Sequence, residues 1–184
     1  MTYSFASSIP ESVSFEDAIA YTQSLLSQRE QNTLSDAEVQ QAIARLVQEK
    51  PGTRGFFVAY LTDERAIANQ QDDSILQGLQ SGGDLVAEIL LKNLAMSTAT
   101  AISHRRQSNP EQAQGSERVK RRSVELLQKL HLPQISQIAA QLSHSATNDN
   151  GSYQSFYQRW GYDSEQRQAI QQALQPFCQE EPQA

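Results

Sequence analysis

The pattern of apolar and polar positions has one dominant stretch, residues 84–107, reading DLVAEILLKNLAMSTATAISHRRQ. Leu85, Ile89, Leu90, Leu94, Met96, Ala99 and Ile102 recur at helical spacing and form a broad apolar face. The pattern predicts one helix of about 36 Å at ~1.5 Å per residue, wide enough on its apolar side to be the hub of a helical bundle. Ser81-Gly82-Gly83 breaks the chain before it, and Asp84 takes the N-cap position, where a carboxylate accepts from free backbone N–H groups. His104, Arg105 and Arg106 suit the negative end of the helix dipole. Lys92 and Asn93 interrupt the run, so the expectation is a buried helix and no transmembrane segment. Ala95, Ala99 and Ser103 fall on one stripe of small residues. Tight helix–helix packing is expected there, with a groove for a pigment or other flat ligand as the alternative.

The remaining periodicity fills the chain with shorter helices. Residues 1–13 read as an irregular arm, with Ile9-Pro10 marking a turn. A helix is predicted at 15–31 behind a Ser14 N-cap, and a second from the capping box Ser35-Asp36-Ala37-Glu38, ended by Pro51-Gly52. The apolar run 56–61 suits a buried strand or a buried helix. It reads as helix because no second strand exists to satisfy its backbone groups, and an α+β fold is the competitor. A short helix follows at 72–80. Residues 108–115 read as a polar loop, with Ser116 capping a helix to about residue 130. The next helix opens at Leu132-Pro133, with Ile135, Ile138, Ala139 and Leu142 as its stripe. After a turn at 147–151 come helices at 152–160 and 164–175, separated by Gly161, and a frayed tail from Pro176. The predicted fold is all-α: one helical domain at 14–175, about seven helices around the long central one, between an arm at 1–13 and a flexible tail at 176–184.

Charge changes this picture by adding polarity along the chain. The net charge is −6. Residues 101–131 hold seven Lys/Arg against three Glu, whereas residues 1–100 hold six Lys/Arg against thirteen Asp/Glu. Arg105, Arg106, Arg118, Lys120, Arg121 and Arg122 make a candidate basic patch on an acidic body. Val119 is expected to point inward, leaving Arg118, Arg121 and Arg122 to fan out into solvent. An acidic protein surface is the partner that suits such a patch. Nucleic acid is disfavoured, because the acidic remainder opposes the neutralisation of several phosphates at once. The bland alternative is a solvated face, or a patch that pairs with the chain's own carboxylates.

The second candidate surface is aromatic. Tyr153, Phe156, Tyr157 and Trp160 share one helix face, with Tyr162 beyond Gly161. The expectation is a core role against Phe56, Phe57 and Tyr60. A partner-docking face is the alternative, since Trp, Tyr and Arg are common hot-spot residues and Arg159 lies in the same helix. Residues 134–160 loosely follow a helix-turn-helix pattern, but the intervening turn is long and the second helix carries one basic residue.

Catalytic and metal chemistry find little support. His104, His131 and His144 have no i, i+4 partner for a metal. Asn148-Asp149-Asn150-Gly151 echoes a calcium loop, but the register puts Tyr157 where its bidentate Glu belongs. Ser81-Gly82-Gly83 lacks the lysine of a phosphate-binding loop. Cys178, the single cysteine, excludes an intramolecular disulfide and has no nearby histidine to activate it. No cofactor is implied. The N-terminus MTYSFASSIPESVSF lacks the features of a signal peptide, and a cytoplasmic setting is expected.

The phrases GFFVAYLTDER, AQGSERVKRR and YQSFYQRWGYD resemble those of uncharacterised helical proteins of cyanobacterial type. The resemblance implies a cytosolic or thylakoid-adjacent setting and no activity. The function expected from the residues is a non-catalytic protein-interaction or regulatory module. The alternatives are a nucleic-acid-binding helical protein, or an enzyme or ligand binder with an unrecognised site.

Overall fold

Every regular element among the described residues is helical. The computed structural model describes residues 5–148 and 150–178. Nine α-helices occur in them: α1 (Phe15–Glu30), α2 (Asp36–Leu46), α3 (Lys50–Thr62), α4 (Asp73–Gln80), α5 (Gly83–Arg106), α6 (Pro110–Lys129), α7 (Gln134–Thr147), α8 (Gln154–Trp160) and α9 (Ser164–Leu174). Short 3-10 turns lie at Phe5–Ser8, Ala66–Asn69 and Gln175–Phe177. The apolar run 56–61 falls inside α3, so the all-α expectation holds against the α+β alternative.

The helices group into two compact units. Among the described residues, the first comprises those up to Ile89 with Gln128–Leu132, and the second comprises Leu90–Leu127 with those from Pro133 onward. In the first unit α1 packs along α3 and α2 along α4. Both crossings depend on glycine. A Cβ on Gly55 of α3 would lie 2.5 Å from the Phe15 carbonyl oxygen and 2.6 Å from Ala18 Cβ on α1. A Cβ on Gly78 of α4 would lie 2.7 Å from Ile43 Cβ on α2. Phe56 and Tyr60 stack with ring centroids 5.4 Å apart, and Phe57 meets Phe56 edge-on. All three rings are buried. Arg29, in the last turn of α1, bonds the carboxylates of Asp72 (2.9 Å) and Asp36 (2.7 Å). It ties the end of α1 to the N-termini of α4 and α2, where acidic side chains are favoured.

In the second unit α7 packs against α9, α8 and the turn Gln175–Phe177. The Tyr157 hydroxyl donates to the Leu142 carbonyl (3.0 Å), and the Tyr153 N–H donates to Ser145 Oγ (3.2 Å), fixing α8 to α7. Helix α5 supplies its first two turns to the first unit and the rest to the second. It is buried on most sides: Val86, Ala87, Leu90, Leu91, Leu94, Ala95, Ala99 and Ala101 are all inside, while Leu85, Met96 and Ile102 are half-buried. By length and composition alone α5 would pass as a membrane span, but 61% of its most apolar stretch is buried within the protein.

Four local expectations need correction. Pro51-Gly52 does not end α2; it lies in the first turn of α3, where the missing proline N–H has no intrahelical bond to make. Asp84 follows the first helical residue of α5 rather than preceding it. Residues 110–115 are helical, not loop, because Pro110 sits at the first helical position and Asn109 Oδ1 accepts from the Gln112 N–H (3.3 Å) as a cap. The frayed tail expected from Pro176 is a 3-10 turn through Phe177, whose ring is buried. Residues 179–184 of that tail, residues 1–4 of the arm and Asp149 of the calcium-like turn lie outside the described residues.

Candidate interaction site

The basic patch is positioned by the end of α5 and the body of α6. Its members do not act alike. Arg105 pairs with Glu117 of α6. Arg106 reaches both Asp163 and Glu165 at the start of α9. The two carboxylates raise the Arg106 guanidinium above its ordinary value, and the Arg106 hydrogen bond, with the Gln166 N–H, holds the Asp163 carboxyl below its own. The pairing also satisfies both helix ends, cations at the C-terminus of α5 and anions at the N-terminus of α9. Arg121 lies 3.8 Å from Glu125 one turn on. Arg118 and Lys120 are partly buried.

Arg122 is the clear departure. It is 1% exposed, not fanned out into solvent. Position 122 lies three residues after Val119 and four before Leu126, so helical geometry puts it on the inward stripe with Ser123, Leu126 and Leu127, all of them buried. The six cations therefore do not form one free surface. Three of them are engaged by the chain's own carboxylates and a fourth is inside.

The aromatic helix divides along its axis. Tyr157 is buried, and burial raises its phenol above the ordinary range; the same holds for Tyr162. Arg167 sits over the Tyr157 ring (5.5 Å). Tyr153 and Phe156 are half-buried, and Lys92 Nζ lies over both rings, 4.9 and 5.9 Å from their centroids. Trp160 was expected in the core and is 48% exposed. It closes α8, where the chain turns at Gly161, and its indole lies parallel to the Tyr162 ring with centroids 6.4 Å apart. Trp160 and Val58 are the large apolar side chains left exposed among the described residues. Arg159, beside Trp160, is exposed too. The row Tyr153, Phe156, Trp160 is thus a partly open aromatic edge flanked by Lys92 and Arg159, and residues 150–162 contain no Asp or Glu.

The stripe of small residues on α5 is filled from within the chain. Gln166 Nε2 of α9 donates to the Ala99 carbonyl (3.0 Å) and to Ser103 Oγ (2.8 Å). This contact was hidden in the sequence, where Gln166 reads only as a capping-box residue. Cys178 is half-buried, and burial raises its thiol pKa, which disfavours the nucleophilic thiolate.

The sequence pattern of a family described as Uncharacterised conserved protein UCP020893 matches residues 14–177. The chain belongs to this family. No curated protein shows a significant match to the chain. No solved structure does either. The family match spans both candidate surfaces, the α5–α6 cations and the α8 aromatic row.

Proposed function

We propose that this family member is a non-catalytic protein-interaction module that docks an acidic protein surface through the open edge of α8. The observation that carries the reading is Trp160, a large apolar side chain half in solvent beside Arg159, at the end of an aromatic row with Lys92 on its flank. Trp and Arg beside each other, at the rim of a packed aromatic cluster, are the residue types that dominate binding hot spots. The segment 150–162 carries Arg159 and no carboxylate, and Lys92 of α5 lies over two of its rings, which favours an acidic partner and speeds its approach. The α5 and α6 cations are secondary in this reading, because Arg105, Arg106 and Arg121 already have carboxylate partners in the chain. That same pairing weighs against the nucleic-acid alternative. The resemblance of GFFVAYLTDER, AQGSERVKRR and YQSFYQRWGYD to phrases of cyanobacterial-type helical proteins supports a cytoplasmic or thylakoid-adjacent setting.

The test is a pull-down from native lysate with the wild-type chain and with Trp160→Ala and Arg159→Glu variants, read by mass spectrometry. Thermal melts run alongside, and DNA and RNA are titrated near physiological salt. The expected result is an acidic partner lost from both variants, melting temperatures within a few degrees of wild type, and no nucleic-acid binding. A partner set unaffected by both substitutions would remove α8 from the function. Tight, salt-sensitive nucleic-acid binding would replace the reading altogether.

A further inference from the structure

Asp163 is the first carboxylate past Trp160, and Glu165 follows two residues later. Three residues of chain span at most about 11 Å, so the Asp163 charge lies within electrostatic reach of the α8 edge at low salt. Both carboxylates meet solvent, with side chains 46% and 66% exposed. Left alone, they would offset the cations of that edge, which are Lys92, Arg159 and Arg167, whose Nε donates to the Tyr162 carbonyl (3.1 Å). Arg106 bonds both carboxylates at once. One guanidinium against two carboxylates leaves a single negative charge where two would stand. Holding α9 together does not require this arrangement. The capping box closes from within: Asp163 Oδ1 accepts from the Gln166 N–H (3.0 Å), and Gln166 Oε1 accepts from the Asp163 N–H (3.1 Å). Exposed ion pairs add little to stability, so the larger consequence of Arg106 is the local charge.

We propose that Arg106 is the specificity-determining residue of the α8 edge: by neutralising Asp163 and Glu165 it keeps the surface beside Trp160 basic and selects for an acidic partner. The inference rests on the docking role proposed for α8 and adds the residue that decides which partners the edge accepts. Arg106 acts through the two carboxylates, not by touching the partner, and charge count separates that role from a structural one. Arg106→Gln makes the cluster one unit more negative and breaks the clamp. Arg106→Gln with Glu165→Gln restores the charge of wild type and leaves the clamp broken. Glu165→Gln alone makes the cluster one unit more positive and leaves the Arg106–Asp163 pair and the capping box in place.

The chain supplies its own reporter. Trp160 is the single tryptophan and stands half in solvent, so its fluorescence, excited beyond tyrosine absorption, reads this edge alone. The full chain is quenched with iodide, with caesium and with neutral acrylamide. At a fixed total salt of about 50 mM, a unit charge some 10 Å away changes the local concentration of a monovalent ion by about 1.5-fold. The iodide-to-caesium quenching ratio should therefore fall about twofold in Arg106→Gln and return to wild type in the double variant, with acrylamide quenching unchanged. Glu165→Gln alone should raise the ratio, which keeps the test decisive where Arg106→Gln fails to fold. A ratio that Glu165→Gln does not move, or a fall in folded Arg106→Gln that the double variant does not reverse, overturns the proposal. In the lysate pull-down, Arg106→Gln should capture less of the partner that Trp160→Ala loses, and the double variant should recover it. A partner lost by Trp160→Ala but held equally by wild type and Arg106→Gln overturns the selecting role while leaving α8 as the docking edge. A partner that survives Trp160→Ala removes the docking role, and the selecting role with it, whatever the quenching shows.

Discussion

The Gln166 side-chain amide donates to the Ala99 carbonyl at 3.0 Å, and its oxygen accepts from the Asp163 N–H at 3.1 Å. One side chain closes the capping box of α9 and fastens that helix to the small-residue stripe of α5. Gln166→Ala removes both roles and leaves polar groups buried without it. It should cost about 1–3 kcal/mol in urea unfolding. Ala99→Leu, which overfills the same contact, should cost a similar ~1–3 kcal/mol. The double variant should lose less than the sum, since the two residues touch.

That node also shows which parts of the fold the sequence displays. The capping box is legible because Asp163 and Gln166 are three residues apart and the signal is local. The grip on Ala99 is not, because it joins positions 67 residues apart and either partner has a simpler reading alone. Residues 110–115 were obscured by composition: polar residues and Gly115 read as loop, while the start signal Asn109-Pro110 was the stronger information. On α8 the spacing placed the rings on one face but not the depth of that face. Seven residues are too few for periodicity to separate buried Tyr157 from exposed Trp160.

Arg122 and Arg121 are neighbours with opposite environments, one 1% exposed and the other with a side chain 60% exposed. Charge type argued for solvent at both positions, and helical geometry overrode it at 122. Arg122→Ala should destabilise by about 2–5 kcal/mol, through a lost long side chain in a packed site and the groups it satisfies. Arg121→Ala should stay within ~0.5 kcal/mol, the usual range for an exposed ion pair one turn apart. Chemical denaturation of the two variants side by side gives the comparison.

Asp72 links stability to acid. Burial alone would raise its carboxyl pKa; hydrogen bonds from Ser74, the Ile75 N–H and Arg29 outweigh that and leave it below the ordinary 3.8. A carboxyl with a depressed folded pKa contributes stability above its unfolded value, and that contribution is lost as pH falls through the folded value. Melting temperature should therefore be flat near neutral pH with respect to this group and fall below about pH 4. Asp72→Asn should lower the melting temperature at pH 7 and narrow its gap to wild type as pH drops towards 3. A gap that stays constant across that range would separate Asp72 from the acid sensitivity.

Trp160 and Tyr157 share a helix and an aromatic cluster, and they should separate cleanly by substitution. Tyr157 is buried, its hydroxyl is bonded to the Leu142 carbonyl at 3.0 Å, and its ring meets those of Phe156 and Tyr162. Tyr157→Ala should cost about 3–5 kcal/mol, the range for a large aromatic removed from a core. Trp160 keeps one parallel ring partner, Tyr162, and leaves 48% of its surface in solvent. Its removal forfeits an aromatic pair worth about 0.5–1.5 kcal/mol and part of its burial. Trp160→Ala should therefore melt within a few degrees of wild type while Tyr157→Ala loses most of its stability. Differential scanning calorimetry reads both. A Trp160→Ala variant as unstable as Tyr157→Ala would make Trp160 a structural residue and take away the observation on which the α8 docking edge rests.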